Sequence, residues 1–300
     1  MQGGRLPSRG RVPKAHRMAH EKNGRRVHVV LGNQLFARAH LDGYEDCVFY
    51  LAEDVGLCTY VRHHKLKITL FLAAMRAYAD GLREHGYEVH YERLDEQDDP
   101  ARPYEARLSD HLDALGDVTG LVLWEIEDRF FEDRMKAFVK KRGLEVEWRQ
   151  SPMFLTSRET FAEFAQGRKR LQMASFYAQQ RQQLDVMMDG DEPRGGKWSF
   201  DHDNRETIPK DLEIVATSFA SPNEHVEEVA ALVEERFADH PGRVDLDHWW
   251  LPTTRRQSLW WLREFLSGRF ANFGPYEDAL TVRQEGEKTF LWHSALSPMI

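Results

Sequence analysis

The chain has 300 residues, 41% hydrophobic and 30% charged, the profile of an ordinary globular protein long enough for two domains. With 41 Lys plus Arg against 49 Asp plus Glu, the net charge of −8 argues against a protein that coats nucleic acid over its whole surface, though a local basic groove is compatible with it. No apolar run approaches the ~18 residues of a membrane span, and two cysteines, Cys47 and Cys58, make neither a disulfide framework nor a four-cysteine metal site, so a reducing, cytoplasmic location is expected.

Residues 1–25 read as a basic, Gly-rich leader without the apolar stretch of a secretory signal; Met18 is a plausible alternative start. From Arg26 onward short β-rich runs alternate with longer helical ones. VHVVL (27–31) and CVFYL (47–51) read as strands. Between Lys65 and His85, residues Ile68, Leu72, Met75, Ala79 and Leu82 recur at helical spacing, and Gly86 closes the run. EVHYERL (88–94) is a strand, Tyr104 to Leu115 a helix, GLVLWEI (120–126) a strand, Arg129 to Arg142 a helix ended by Gly143, and LEVEWR (144–149) a strand. Such alternation implies right-handed crossovers and a mostly parallel sheet, so residues 26–150 are expected to form a doubly wound α/β domain.

The character changes after Arg149. Thr156 or Ser157 caps a short helix carrying Phe161 and Phe164, and a Gln-rich, helix-compatible stretch runs from Gly167 to Met188. DGDEPRGGKWSFDHDNRETIPKD has no periodicity and reads as a linker or functional loop, so residues 151–223 are expected to hold a helix and an interdomain linker. Helical period returns over 224–238 and 255–271, the expected opening of a helical domain over 224–300.

Several signatures of catalysis are absent. Gly190 to Lys197 resembles a phosphate-binding loop, but its spacing fails and Trp198 stands in the Ser/Thr place. His63 and His64 are adjacent, point about 100° apart on a helix and read as a helix-start pair rather than metal ligands. No metal-ligand residue is expected. Three segments have the chemistry of a contact surface. LGNQL (31–35) follows the first strand, where open parallel sheets place ligands, so Gly32, Asn33 and Gln34 are candidates; a plain turn is the competing reading. AEDVG (52–56) sets Glu53 and Asp54 on the same rim. GGKWSFDHDNR (195–205) and GRKR (167–170) offer Lys197, Arg205, Arg168 and Lys169 to phosphates, or are solvated, ion-paired surface.

Taken in order, SPMFL, GRKRLQMASFYAQQR, GGKWSFDHDNR, WWLPTTRRQSLWWLREFLSGRFANFGPYEDAL and HSALSP resemble the middle section of the bacterial photolyase-related family of flavoproteins, the iron–sulfur branch. LGNQL and YVRHHKLKITLFLAAMRAYADGL match its first domain, and the resemblance covers residues 26 to 300. It implies a light-driven enzyme that repairs ultraviolet-damaged DNA, of the (6-4) photoproduct type. An α/β antenna domain would be followed by a helical domain holding FAD. A cryptochrome-like blue-light receptor, or a stand-alone chromophore-binding module, would share these features. By resemblance, a 6,7-dimethyl-8-ribityllumazine antenna meets Gly32, Asn33, Gln34, Glu53 and Asp54; FAD meets Tyr276, His293, Ser294, Leu296 and Ser297; and Arg168, Lys169, Lys197 and Arg205 face the damaged DNA. The chain departs from the family pattern at Asn33, where Asp is usual, and at Leu57, where an acid is frequent. Family members continue well past HSALSP, and that continuation supplies the [4Fe–4S] cysteines and most of the flavin pocket. A truncated, monomeric protein that holds FAD poorly and leaves apolar faces of 255–271 uncovered is therefore expected, with no membrane partner.

Overall fold

The computed structural model describes residues 24–216, 220–281 and 291–294. Five parallel strands form one sheet: β1 (Arg25–Val29), β2 (Val48–Ala52), β3 (Glu88–Glu92), β4 (Val118–Trp124) and β5 (Val146–Arg149), in the order β3-β2-β1-β4-β5. The chain builds outward from β1 to β3, then returns across the sheet to place β4 on the other side of β1. Strand order therefore reverses between β1 and β4. The fold is the expected α/β class with a parallel sheet.

Register divides the strand residues between two faces. Val27, Val29, Val48, Tyr50, Leu121 and Leu123 pack against α3 (Tyr104–Leu115) and α4 (Arg129–Arg142). Phe49, Leu51, Val122 and Trp124 face the opposite layer, where Leu82 of α2 (Lys65–Glu84) joins Leu41 and Tyr44. All five residues of β2 are buried, as expected of a strand covered on both faces. The two helices read as ending at Leu115 and Arg142 do so because Gly116 (φ +82°) and Gly143 (φ +64°) adopt backbone that other residues resist. His64 caps α2: its Nδ1 accepts from the Leu66 amide at 3.1 Å, the helix-start role read from sequence.

α1 (Val55–Thr59) is a short turn of helix between β2 and α2. Beyond β5 the chain forms α5 (Arg158–Ala165), capped by Ser157, then α6 (Met173–Leu184) and a two-strand hairpin of β6 (Met188–Asp189) and β7 (Glu192–Pro193). α7 (Glu224–Arg236), the helix expected to open a second domain, lies on α2. Val226, Val229, Val233 and Phe237 share one apolar cluster with Ile68, Leu72 and Met75. Lys65 to Glu234 (2.5 Å) and Arg76 to Glu228 (3.2 Å) pair the same two helices. The helical run read over 255–271 divides at Arg269 into α8 (Arg255–Gly268), with a Thr254–Gln257 capping box, and α9 (Phe270–Tyr276). Trp261 and Phe265 of α8 are buried, whereas Leu259, Trp260, Leu266 and Phe270 are exposed.

Candidate functional site

Where strand order reverses, the loops after neighbouring strands diverge and leave a crevice at their carboxyl ends. A cavity of about 310 Å³ occupies that place. Leu31, Gly32 and Asn33 come from the end of β1, Ala52 and Asp54 from the end of β2, and Ile126, Asp128 and Phe131 from beyond β4. Leu57 and Cys58 of α1 with Ile68, Phe71, Leu72 and Met75 of α2 complete apolar walls. The exposed members, Asn33, Tyr60, Lys67 and Asp128, mark the mouth. Gly32 lies close to α2: a Cβ there would come within 2.8 Å of Met75 Sδ, and that side chain would have to shift.

Two acids at the cavity double as structure. Asp54 caps α1, accepting from the Leu57 amide at 2.7 Å, and its other oxygen accepts from Arg107 Nη2 at 2.7 Å. Asp128 caps α4 through the Phe131 amide at 3.2 Å. Burial, then the carboxylates of Asp54 and Glu53, pushes the Cys58 thiol up to about 12, so it is an inert wall group at neutral pH. His63 stands edge-on to Tyr60 with ring centroids 5.0 Å apart, and its pKa is lowered by burial and by Lys67. The cavity thus joins an apolar slot to a rim of amide, hydroxyl, imidazole and ammonium groups. That combination suits a flat, mostly apolar molecule with a hydrogen-bonding tail.

The residues singled out from sequence separate into groups. Gly32, Asn33 and Asp54 line the cavity. Gln34 is buried beside it, donating to the Glu125 carbonyl (2.8 Å) and to Glu127 (3.1 Å). Glu53 lies beneath it, wholly buried, accepting from Arg76 Nε and Nη2 (2.6 and 3.0 Å), Tyr91 (2.9 Å) and the Leu94 amide (2.8 Å). Its carboxylate is committed to the fold and does not reach the rim. Tyr276, His293 and Ser294 gather around α8 and α9. Tyr276 packs on Trp292 (4.8 Å between centroids), Arg269 holds the His293 carbonyl (2.9 Å) and Trp261 Nε1 donates to the Ser294 carbonyl (2.5 Å). Leu296 and Ser297 lie outside the described residues. Of the four cations, Arg205 pairs with Asp278 (2.9 Å), Lys197 is 3.9 Å from Asp203, Arg168 lies over the Phe164 ring (4.3 Å) and Lys169 is exposed.

Sequence reading did not reach Tyr60, Lys67, Phe71 or Asp128, nor the buried arginines Arg76 and Arg107. An arginine on the apolar face of α2 was a visible signal: a charge among Leu72, Met75 and Ala79 needs a buried partner. Among the described residues, no cluster of three or more His, Cys, Asp or Glu could hold a metal ion, and no helix is long and apolar enough to cross a membrane.

Residues 28–249 match the family described as deoxyribodipyrimidine photo-lyase-related protein. The chain belongs to that family. It is 32% identical over 255 residues to a (6-4) photolyase of Agrobacterium fabrum, an alignment covering 84% of this chain and 50% of the relative. It is 29% identical over 198 residues to an uncharacterized protein of Acanthamoeba polyphaga mimivirus, covering 63% of this chain and 97% of that protein. This member of the photolyase-related family therefore spans about half the length of the Agrobacterium relative, and the family match, from residue 28, covers β2 to β5 and α5 to α7.

Proposed function

We propose that this protein serves light-driven repair of ultraviolet-damaged DNA, of the (6-4) photoproduct type, and that the cavity at the strand-order reversal holds its antenna chromophore, a ribityllumazine. The supporting observation is the cavity itself: about 310 Å³, walled by Leu31, Leu57, Phe71, Leu72, Ile126 and Phe131, with Asn33, Tyr60 and Lys67 at its mouth and the Asp54 carboxylate and Tyr104 hydroxyl buried in its lining. A heteroaromatic bicycle fits the walls and a polyhydroxy chain fits the rim, because buried hydroxyls need partners whereas rings do not. Asn33, Tyr60 and Lys67 would meet the chain; Gly32 permits the close approach of backbone.

The flavin part of the reading draws on the resemblance of HSALSP and on kinship. FAD, when bound, supplies the excited electron that such repair needs. Tyr276, His293 and Ser294 would lie at its binding segment, though the carbonyls of His293 and Ser294 are already held by Arg269 and Trp261. Damaged DNA would approach Arg168, Lys169, Lys197 and Arg205, whose charges can meet phosphates. A second reading, a chromophore-binding module acting without a flavin, is favoured by the mimivirus relative, 97% of whose length this chain matches.

The deciding experiment is an absorption spectrum of the purified 300-residue chain, with released chromophores identified by mass and reconstitution with 6,7-dimethyl-8-ribityllumazine. A bound lumazine lost in Gly32→Leu supports the cavity assignment. Failure to bind lumazine at micromolar concentration by a folded chain overturns it. FAD and (6-4) lesion repair under blue light would carry the enzymatic reading; lumazine without either would carry the module.

A further inference from the structure

A second cavity, of about 440 Å³, lies further along the carboxyl edge of the sheet, between the ends of β4 and β5 and the helices α5 and α6. We propose that it binds an organic cation with an aromatic body. Its lining divides into two halves of different chemistry. Glu125 and Glu127 stand on the sheet side, and Phe154, Phe161 and Phe176 on the helical side.

The charge balance favours a cation. Among the described residues, Glu127 accepts hydrogen bonds only from neutral donors: Ser151 Oγ (2.5 Å), Gln34 Nε2 (3.1 Å) and Asn33 Nδ2 (3.3 Å). Glu125 Oε2 accepts from the Ser151 amide at 3.1 Å, and no residue among those described bonds Oε1. The one cation in the lining, Arg158, donates to Glu132 at 2.7 Å and to the Ile126 carbonyl; it attracts Glu125 and Glu127 through space but bonds neither. Among the described residues, two carboxylates therefore line the cavity against one guanidinium, which Glu132 already pairs, so the lining keeps a net negative charge. A cation entering it gains their attraction in partly desolvated surroundings, and an anion is repelled.

The aromatic half adds to this selection. Phe161 meets Phe176 edge to face (5.3 Å, 88°), which fixes the Phe161 ring, yet it remains 43% exposed. Phe154 is 58% exposed beside it. Large apolar side chains left open around a cavity mark a surface that gains by being covered. Phenyl faces also attract ammonium and guanidinium groups, and an aromatic ligand body stacks on them. The first cavity, by contrast, presents acids that are already caps or ion-pair partners. The two sites should thus sort ligands by charge.

The test is a charge series on one skeleton: phenethylammonium, 2-phenylethanol and phenylacetate, titrated into the full chain by calorimetry and by amide NMR. The ammonium is expected to bind about tenfold or more tighter than the alcohol, with phenylacetate weakest. Shifts should centre on Ser151, Thr156 and Ser157 rather than on Gly32 and Asn33. Glu125→Gln should lower ammonium affinity about tenfold while leaving the alcohol's unchanged, and Phe161→Leu should weaken both. Equal affinity for the ammonium and the alcohol overturns the proposal, as does an unaltered affinity in a folded Glu125→Gln protein. Shifts confined to the first cavity overturn it as well.

Discussion

Replacing Arg76 by Met should destabilise the protein by about 3–5 kcal/mol, because it leaves a fully buried carboxylate without its cation. Glu53 is inaccessible to solvent and, among the described residues, has Arg76 as its only charged side-chain hydrogen-bond partner, through two bonds of 2.6 and 3.0 Å. Tyr91 and the Leu94 amide remain after the substitution, but both are neutral donors. The additional pairs of Arg76 with Asp95 and Glu228 add little, since those acids are more than a third exposed and screened by water. With a urea slope of about 3 kcal/mol/M, the midpoint should fall by about 1–1.7 M, read by circular dichroism. Glu53→Gln in the Arg76→Met background removes the stranded charge and should recover a large part of that loss, while Glu53→Gln alone leaves the guanidinium with Asp95 and Glu228. A loss below about 1 kcal/mol, or a double variant no more stable than Arg76→Met, would refute the view that desolvated charge governs this site. Ala52 and Asp54 flank Glu53 and line the first cavity, so chromophore occupancy should fall along with stability.

Three further outcomes are expected. His28 is wholly buried among Tyr44, Phe49 and Trp124; burial first, then the charges of Arg149 and Arg26, lowers its pKa to about 3. Unfolded chains protonate this imidazole below about pH 6.5 while the native protein does not, so stability is full above that pH and falls as pH drops toward 3, by up to about 1.4 kcal/mol per unit. His28→Phe should flatten this limb in urea titrations at pH 7 and pH 5; an unchanged slope would contradict the assignment. Gly32→Leu should abolish binding of added lumazine with little change in melting temperature, since its one close contact is the flexible Met75 side chain; undiminished lumazine binding would remove the cavity from consideration. Lys169→Ala should lower the salt-dependence slope of DNA binding by about 1 if Lys169 meets a phosphate, and an identical slope would show that it does not.

Local chemistry made much of the sheet domain legible. Hydrophobic period and stop signals placed α3 and α4 at their observed bounds, and strand limits fell within about two residues, because Gly116 and Gly143 terminate helices by backbone geometry alone. The loop after β1 was placed at the carboxyl edge where a parallel sheet opens its crevices, and its Gly32 and Asn33 line a cavity there. Burial was not readable. Gln34 and Glu53 look like rim residues in a polar sequence, yet both are inside, held by partners 41 to 93 positions away or by Arg76 across the α2 face. Nor did the periodicity of α7 reveal that its apolar stripe closes on α2; Arg76 meets Glu228 across 152 residues. The amino-acid sequence by itself determined the sheet strands and their long crossover helices, the fold class and the family, because these rest on short-range pattern and on motif order; α1, the β6–β7 hairpin and the break at Arg269 it did not show. Tertiary structure alone decided which acids are spent on buried pairs and which still line a cavity, because the cost of desolvating a charge depends on what the rest of the chain brings beside it.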